Sequence, residues 1–327
     1  MSVKANVLEA LEQADGKYIS GNQLARETGV SRNMIWKIIG QLKAEGYCVE
    51  AVTNLGYRLI TENSDAVNEA EIQKYLDTES LGRKLEVYTE TDSTNNRAKY
   101  LAVNENAPDG TLIIAEKQTN GRGRMGRTFE SPLGSGIYFT VVLRRHFEMQ
   151  SAPLITSCVA VAVTEAIEKL SGADTKIKWV NDIFINNRKV GGILTEAGMN
   201  FETRQLDYAV VGIGINTGII ENTLSDNVKN IATSIEAETG IKVKRAELVA
   251  EVMNRFEKHL ATMETKDYMD EYRRRSLIIG KKVVVSKGSS EREAVATDID
   301  NNAFLIVKYD DGTCETLSSG EARIIKK

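Results

Sequence analysis

Residues 117–136 read KQTNGRGRMGRTFESPLGSG, in which Gly121, Gly123 and Gly126 take the spacing G-x-G-x-x-G. A genuine dinucleotide-binding turn of that spacing dictates a doubly wound parallel sheet. It needs a strand before the first glycine, a helix opening after the last, and an acid about twenty residues on for the ribose. The strand is present as TLIIAEKQ. The helix is not: RTFESPLGSG follows Gly126, and Pro132, Gly134 and Gly136 leave no room for one. FTVVLRR stands where the acid belongs, and no G-x-x-x-x-G-K-[ST] occurs, so the Rossmann and P-loop readings both fail. What is left is a loop carrying Arg122, Arg124 and Arg127 with no carboxylate between Lys117 and Phe129. Guanidinium forks and exposed backbone amides suit phosphate and carboxylate oxygens. A loop of such uniform charge is expected to be mobile when empty and ordered once an anion neutralises it.

The strands around this loop indicate what replaces the Rossmann sheet. KLEVYTE, GTLIIAEKQ, GIYFTVVLR, DTKIKWV, the hairpin DIFINNRKVGGILTEAG and QLDYAVVGIGIN alternate with two long helical segments, SAPLITSCVAVAVTEAIEKLSG and KRAELVAEVMNRFEKHLATM. Strands outnumber helices and hairpins replace crossovers, which predicts an α+β fold with a mixed, largely antiparallel sheet. From Leu277 the chain turns to short strands punctuated by Gly, Asn-Asn and Asp-Gly, the pattern of a small β-barrel.

The N-terminal sixty residues form a different pattern. VKANVLEALEQA has helical spacing, and ISGNQLARETGVSRNMIWKIIGQLKAEG holds two helices around Gly29-Val30. Ser31 is an N-cap, and Ile35, Ile38, Ile39 and Leu42 recur on one face. The outer face carries Arg32, Asn33, Trp36, Lys37 and Lys43. YCVEAVTNLGYRLI then reads as two strands around a turn at Asn54. Between Ser20 and Lys43 there are four basic residues against one acid, Glu27. A winged helix-turn-helix with its DNA-reading segment at about 21–40 is the expectation. A small helical interaction domain with a solvated charged face would read similarly. The boundaries expected are 1–62 for this domain, 63–80 for a linker with a short helix, 81–276 for the central domain and 277–327 for the C-terminal barrel.

Composition excludes several classes of function. Two histidines, His146 and His259, are too few for a His-based zinc site or a Ser-His-Asp triad. Cys48, Cys158 and Cys314 lie far apart and read as reduced thiols, so a cytoplasmic location is expected. Met1 to Gln13 is amphipathic and lacks the apolar run of a secretory leader, and no run of 18 apolar residues is present to span a membrane. A net charge of −4 argues against a protein coated all over by nucleic acid but allows a local basic face.

Two more stretches carry ligand-type chemistry. ETDSTNNRAKY sets Asp92, Ser93 and Thr94 between a strand and a helix, where hydroxyls and helix N–H groups can meet a polar ring. KIKWVNDIFINNRKVGGILTE places Lys178, Asn181 and Asp182 at a strand end and returns Lys189 beside Gly191-Gly192, which permit close approach. Asn186-Asn187 makes the hairpin turn.

Taken in order, DSTN, KQTNGRGRMGR, SPLGSGIYF, KIKWVND, RKVGGILTE and VVGIGIN resemble the biotin–protein ligase family. The resemblance is strong from about Glu86 to Asn216 and weaker in the C-terminal segment. With the winged helix in front, the chain resembles the bifunctional members, which are both ligase and biotin operon repressor. The resemblance implies a biotin/lipoate ligase-like central domain and an SH3-like β-barrel at the C-terminus. It implies biotin and ATP as substrates with Mg²⁺, biotinyl-5′-AMP as intermediate and co-repressor, and no fixed metal site on the protein. The implied partners are a biotin carboxyl carrier protein of acetyl-CoA carboxylase (or another biotin-dependent carboxylase), operator DNA, and a second copy of the chain in the adenylate-bound state, with no membrane. For biotin it implies Ser93, Thr94 and Gln118 on the ureido ring, with Asn95, then Gly121, Arg122, Gly123 and Arg124 of the closing loop, with Lys189 and Gly192. Arg124, Arg127, Phe129, Lys178, Asn181 and Asn216 fall to ATP and the adenylate. Lys189, Arg124, Arg122 and Asp182 carry the catalytic role, and Arg32, Asn33, Trp36 and Lys37 face DNA. Two departures stand out: Val180 occupies the proline position of the family's KWPND signature, and Phe129 a position where tryptophan is familiar. A lipoate or octanoyl ligase, a purely effector-sensing repressor, and a ligase with an inactive DNA domain stand as alternatives.

Overall fold

The computed structural model describes residues 2–61, 64–145, 147–148, 151–200, 205–220, 223–287 and 290–325. His146 lies outside them. The chain divides into two compact units, Met1–Ile72 with Lys244–Ala246, and Gln73–Val243 with Glu247–Lys327.

The first unit is built from α1 (Val3–Gln13), α2 (Gly21–Thr28), α3 (Arg32–Ala44), β1 (Val49–Val52) and β2 (Gly56–Leu59), with α4 (Glu69–Gln73) at its boundary. Each of the three long helices starts on a serine. Ser2, Ser20 and Ser31 accept from Ala5, Gln23 and Met34 backbone N–H groups, satisfying donors that a helix start leaves free. Gly29 ends α2 in the left-handed region at φ 71°. Ile35, Ile38, Ile39 and Leu42 of α3 pack with Val7, Leu11, Leu24, Val49 and Leu59. Full burial of such side chains contributes roughly 1.5–3 kcal/mol each. The wing strands pair antiparallel, Val49 opposite Leu59, around Asn54 at φ 68°. A side chain at Gly56 would strike the Ile19 carbonyl, where the wing bridges back to Tyr57.

The second unit begins with β3 (Leu85–Tyr88), α5 (Thr94–Asn104), β4 (Leu112–Ala115), β5 (Gly136–Leu143), α6 (Ala152–Ser171), β6 (Thr175–Lys178), β7 (Asp182–Ile185), β8 (Arg188–Asn200) and β9 (Gln205–Asn216). These strands form one seven-stranded sheet in the order β3-β4-β5-β9-β8-β7-β6. Only β3–β4 is parallel, joined through α5; every other pair is antiparallel, as the hairpin-rich sequence predicts. α5 seals its end with Ala98, Leu101 and Ala102 against Ile113, Val142 and Val210. All eight residues of β5 are buried, as befits a central strand. Short helices α7 (Asp226–Lys229) and α8 (Ile235–Thr239) precede α9 (Arg245–Ala261) and α10 (Met269–Arg274).

The C-terminal strands β10 (Lys282–Lys287), β11 (Ser290–Ile299), β12 (Leu305–Tyr309), β13 (Cys314–Leu317) and β14 (Glu321–Ile324) form a five-stranded antiparallel sheet. Its order is β13-β12-β11-β10-β14, with a bulge at Ala296/Asp298 that bends β11. Among the described residues the ladder runs from β13 to β14. It is tied to the larger sheet by Trp179 Nε1, which donates to the Ala303 carbonyl at 2.9 Å.

Candidate functional site

The arginine–glycine loop is held in a defined shape. Gly123 N donates to Arg127 O at 2.7 Å and Phe129 N to Gly121 O at 2.9 Å, closing a short 3₁₀ turn over Arg124–Gly126. No helix follows until α6, so the failure of the Rossmann context is structural fact. Gly121 is obligatory for a packing reason: a Cβ there would lie 2.2 Å from Phe129 O and 2.7 Å from Ser131 Oγ.

The loop's positive charge meets carboxylates that are distant in sequence. Arg122 Nη1 lies 3.5 Å from Glu196 Oε1 and donates to Asn96 Oδ1 at 3.1 Å. Arg124 donates to Asn181 Oδ1 at 3.1 Å and to Gly320 O at 3.3 Å. Arg127 forms a two-pronged pair with Glu321, at 3.1 and 2.6 Å. Those bonds, opposed by some burial, hold the Glu321 carboxyl below its ordinary range, with the Lys178 and Arg124 charges adding to the effect. Arg127 therefore faces the C-terminal sheet, while Arg122 faces α5.

Beneath the loop lies a chain of polar groups. Ser93 is buried at the start of α5, yet its side chain makes no capping bond. The first helical N–H is not free either: Thr94 N and Oγ1 both donate to Gln118 Oε1, at 2.8 and 3.1 Å. Gln118 Nε2 donates to Ser131 Oγ at 2.9 Å. The Thr140 hydroxyl lies 2.8 Å from Thr94 Oγ1 and 2.7 Å from Asn95 Oδ1. Asn95 Nδ2 donates to Glu196 Oε2 at 2.8 Å, and Lys99 reaches Glu196 Oε1 at 3.0 Å. Burial pushes the Glu196 carboxyl up, but bonds from Asn95 and Lys99 and the charges of Lys99 and Arg122 overcome it and hold it low. Gly212 makes this packing feasible, because a Cβ there would fall 1.9 Å from Asn95 Oδ1.

The second wall is the β7–β8 hairpin. Asn186 and Asn187 both take positive φ, 48° and 64°, in its turn. Lys189 Nζ sits 2.6 Å from Asp182 Oδ1 and 6.0 Å from the centre of the Phe129 ring. Gly192 gives the lysine its room, since a Cβ there would lie 3.3 Å from Cε and Nζ. Gly214 does the same for Phe129, whose ring would be 2.6 Å from an added Cβ. Asn181 Nδ2 donates to Ile193 O at 2.8 Å. Buried Asn216 donates to Thr233 O at 3.0 Å, and Thr233 N donates in turn to Lys189 O at 2.7 Å. The peptide bond between Trp179 and Val180 is cis.

Ser93, Thr94, Asn95 and Gln118 thus form one cluster, and Lys189, Asp182, Gly192 and Phe129 another, with Arg122 and Arg124 on the loop beside them. Arg127 is committed to Glu321 and Asn216 to a backbone carbonyl, so both are engaged in intramolecular bonds. Ser131, Thr140, Glu196, Gly212, Gly214 and Glu321 belong to the same networks and were not singled out in the sequence. The G-x-G at 212–214 was a readable signal; the partner carboxylates were not, being 74 and 194 residues from the arginines they pair. Among the described residues, no three His, Cys, Asp or Glu side chains gather to hold a metal ion.

In the first unit, Arg32, Asn33, Met34, Trp36 and Lys37 all stand exposed on α3, Trp36 by 69%. The basic residue of the wing is less free: Arg58 pairs with Glu50, to which Tyr18 also donates at 2.7 Å.

A helix-turn-helix unit, and a sheet whose arginine loop adjoins a cluster of polar side chains, fit the class of an acyl-activating ligase joined to a DNA-binding module. Residues 87–216 match the Biotin/lipoate A/B protein ligase family and residues 4–58 match an HTH domain. The chain is 41% identical over 268 residues to the bifunctional ligase/repressor BirA of Bacillus subtilis (strain 168), covering 82% of this chain and 80% of that protein. It is 29% identical over 302 residues to that of Escherichia coli (strain K12), covering 91% and 90%. The biotin protein ligase from Aquifex aeolicus, solved in complex with biotin and ATP, superposes with a TM-score of 0.63 at 26% identity, covering 75% of this chain and 100% of that one. The chain belongs to the family of the bifunctional ligase/repressor BirA, and it combines a biotin–protein ligase domain with a DNA-binding repressor domain.

Proposed function

We propose that the second unit joins biotin to ATP, giving biotinyl-5′-AMP and pyrophosphate, and transfers the biotinyl group to a lysine of a biotin carboxyl carrier protein. The observation that carries this reading is the placing of Lys189 beside Asp182 and the face of Phe129, next to the arginine loop, whose Arg124 donates to Asn181. Ser93, Thr94, Asn95 and Gln118 bind the ureido ring. Gly121, Arg122, Gly123 and Arg124 close over biotin and adenylate, and Gly192 keeps the lysine's space open. Phe129 supports the adenine, while Lys178, Asn181, Arg127 and Asn216 border the nucleotide.

The first step brings a carboxylate oxygen onto the α-phosphorus as pyrophosphate leaves. Two anions must approach, so positive charge aimed at the forming bond is the main catalytic requirement. Lys189 supplies it at the carboxylate and α-phosphate, with Asp182 fixing the ammonium in place; Arg122 and Arg124 supply it from the loop. Mg²⁺ would arrive with the nucleotide and would share the phosphate charge. In the second step the acceptor amine attacks the acyl carbon and AMP leaves. Neither step needs a nucleophile from the enzyme.

Loss of one electrostatic stabiliser costs on the order of 10²-fold or more. Lys189→Ala is expected to slow single-turnover adenylation by that factor, and adenylation at the wild-type rate would remove Lys189 from the mechanism. Mass spectrometry of a biotin-acceptor domain incubated with the chain, MgATP and biotin, lipoate or octanoate tests the reaction itself. Labelling by biotin alone is the expected result. Labelling by lipoate would reassign the substrate, and no labelling with no biotin-dependent pyrophosphate release would leave a sensor without chemistry.

The same reading gives the first unit operator DNA as its partner, with biotinyl-5′-AMP as co-repressor acting through a homodimer. The functional division is 1–62 for DNA, 63–80 for the linker, 81–276 for catalysis and 277–327 for the C-terminal domain. Glu321 of that last domain, bound to Arg127, ties it to the catalytic loop.

A further inference from the structure

The outward face of α3 carries more than basic groups. Its buried stripe is Ile35, Ile38, Ile39 and Leu42. At 100° per residue the opposite ridge runs through Asn33, Lys37 and Gly40, with Trp36 along one flank and Met34 along the other. Both flanking side chains are left in water, Trp36 69% exposed and Met34 46%. Full burial would favour each by roughly 1.5–3 kcal/mol, and the fold takes only part of that, least for Trp36. Gly40 is equally unexplained by the fold. It lies inside a thirteen-residue helix, where glycine costs about 1 kcal/mol relative to alanine. Yet an added Cβ would meet nothing within 4 Å. A bare backbone one turn beyond Trp36 admits close approach by something outside the chain.

We infer that Trp36 and Met34 read thymine, by packing on C5-methyl groups in the major groove, with Gly40 letting the groove wall approach the helix. The inference rests on the DNA-binding role of this unit. The occupant is fixed by charge and polarity together. Arg32, Lys37 and Lys43 lie on the exposed side of α3 with no acid between Arg32 and Ala44, which suits a polyanion. The thymine methyl is the one apolar group that base edges present in the major groove. Asn33, on the ridge between the two apolar side chains, suits the paired adenine, whose N6 amino group donates to the amide oxygen while N7 accepts from the amide NH₂. The surface therefore favours A·T-rich half-sites over G·C-rich ones.

The test uses the full chain with biotin and MgATP, selecting from a randomised duplex pool. The enriched duplex is then remade with deoxyuridine replacing each thymidine in turn, which removes only the methyl. At the contacted positions affinity should fall about fourfold per methyl, the factor equivalent to one buried carbon. That penalty should vanish in Trp36→Ala or Met34→Ala, while the salt dependence of binding keeps its slope. Lys37→Ala should instead lower the slope by about one and keep the uracil penalty. Gly40→Gln should raise the melting temperature, as a better helix former, and weaken DNA binding more than tenfold. An enriched duplex bound equally with uracil, or a uracil penalty unchanged in both variants, would overturn methyl readout and leave DNA binding standing. If no duplex is enriched at any salt concentration, the DNA-binding role fails and the inference with it.

Discussion

Glu196 shows how a residue with no motif of its own can govern one that has. Its carboxylate holds Asn95 and Lys99 and reaches Arg122 at 3.5 Å, so it joins α5 to the arginine loop. The Arg122 contact is half exposed, and pairs of that kind are worth at most about 1 kcal/mol, or roughly fivefold in a local equilibrium. Glu196→Gln removes the charge and keeps an acceptor for Asn95. Tryptic cleavage after Arg122 in the ligand-free protein should then rise by up to about fivefold, because cleavage follows the population of opened loop. Biotin with MgATP should suppress cleavage in both proteins. The pH dependence has a definite sign. The folded-state pKa of Glu196 lies below the ordinary value of 4.5, so its tether is complete above that value and is lost as pH falls through the lower one. Cleavage by an acid-active protease at the loop should therefore rise with falling pH in the wild type and stay flat in Glu196→Gln. Equal cleavage of both proteins at neutral pH would show that the contact holds nothing.

At the scale of elements, the β7–β8 hairpin is what aims the central lysine. Its two-residue turn needs positive φ at both positions, and Asn is the residue other than glycine that adopts it readily. The pairing then slips by one residue between Ile183 and Phe184, so Lys189 faces Phe184 while Gly191 and Gly192 face Ile183 and Asp182. Such bulges re-aim side chains beside functional sites. Asn187→Val should cost about 1–2 kcal/mol, the penalty for holding a branched side chain at φ 64°, and Asn187→Gly should be close to neutral. Thermal unfolding measures both, and an unchanged melting temperature for the valine variant would mean the turn has another solution. This hairpin, the Ser31 cap and the α3 stripe were legible because each is decided by residues within a few positions of one another. The bulge was not, since residue type alone does not mark Val190 as the residue that the pairing with β7 skips. Nor were α7, α8 and α10, at four to six residues too short to show a helical period.

For the molecule as a whole, the candidate site was legible as a set of parts and illegible as a set of pairings. The arginine loop, Lys189 and the DSTN segment could be singled out from residue type and spacing, and Gln118 only through the family resemblance. That Arg122 meets Glu196 and Arg127 meets Glu321 could not, since only the folded sheet brings them together. The same limit applies to the link between the chain's two activities, which lie in separate compact units. For biotinyl-5′-AMP bound in one unit to regulate DNA held by the other, it must bind two states of the protein with different affinity. Self-association provides such states: a dimer presents two copies of α3 to two half-sites, and an adenylate that draws Arg122 or Arg124 from their partners within the chain changes the surface of the 121–127 loop. Coupling of this kind is worth typically 1–3 kcal/mol, so the adenylate should lower the dimer dissociation constant by about 5- to 150-fold. Sedimentation with and without biotinyl-5′-AMP measures that factor. Linkage then fixes a second quantity without further assumption: dimerisation must tighten adenylate binding by the same total factor. Retention of labelled adenylate should therefore rise with protein concentration across the dimerisation range. If the monomer–dimer constant is indifferent to adenylate, regulation cannot run through self-association and must act within one chain.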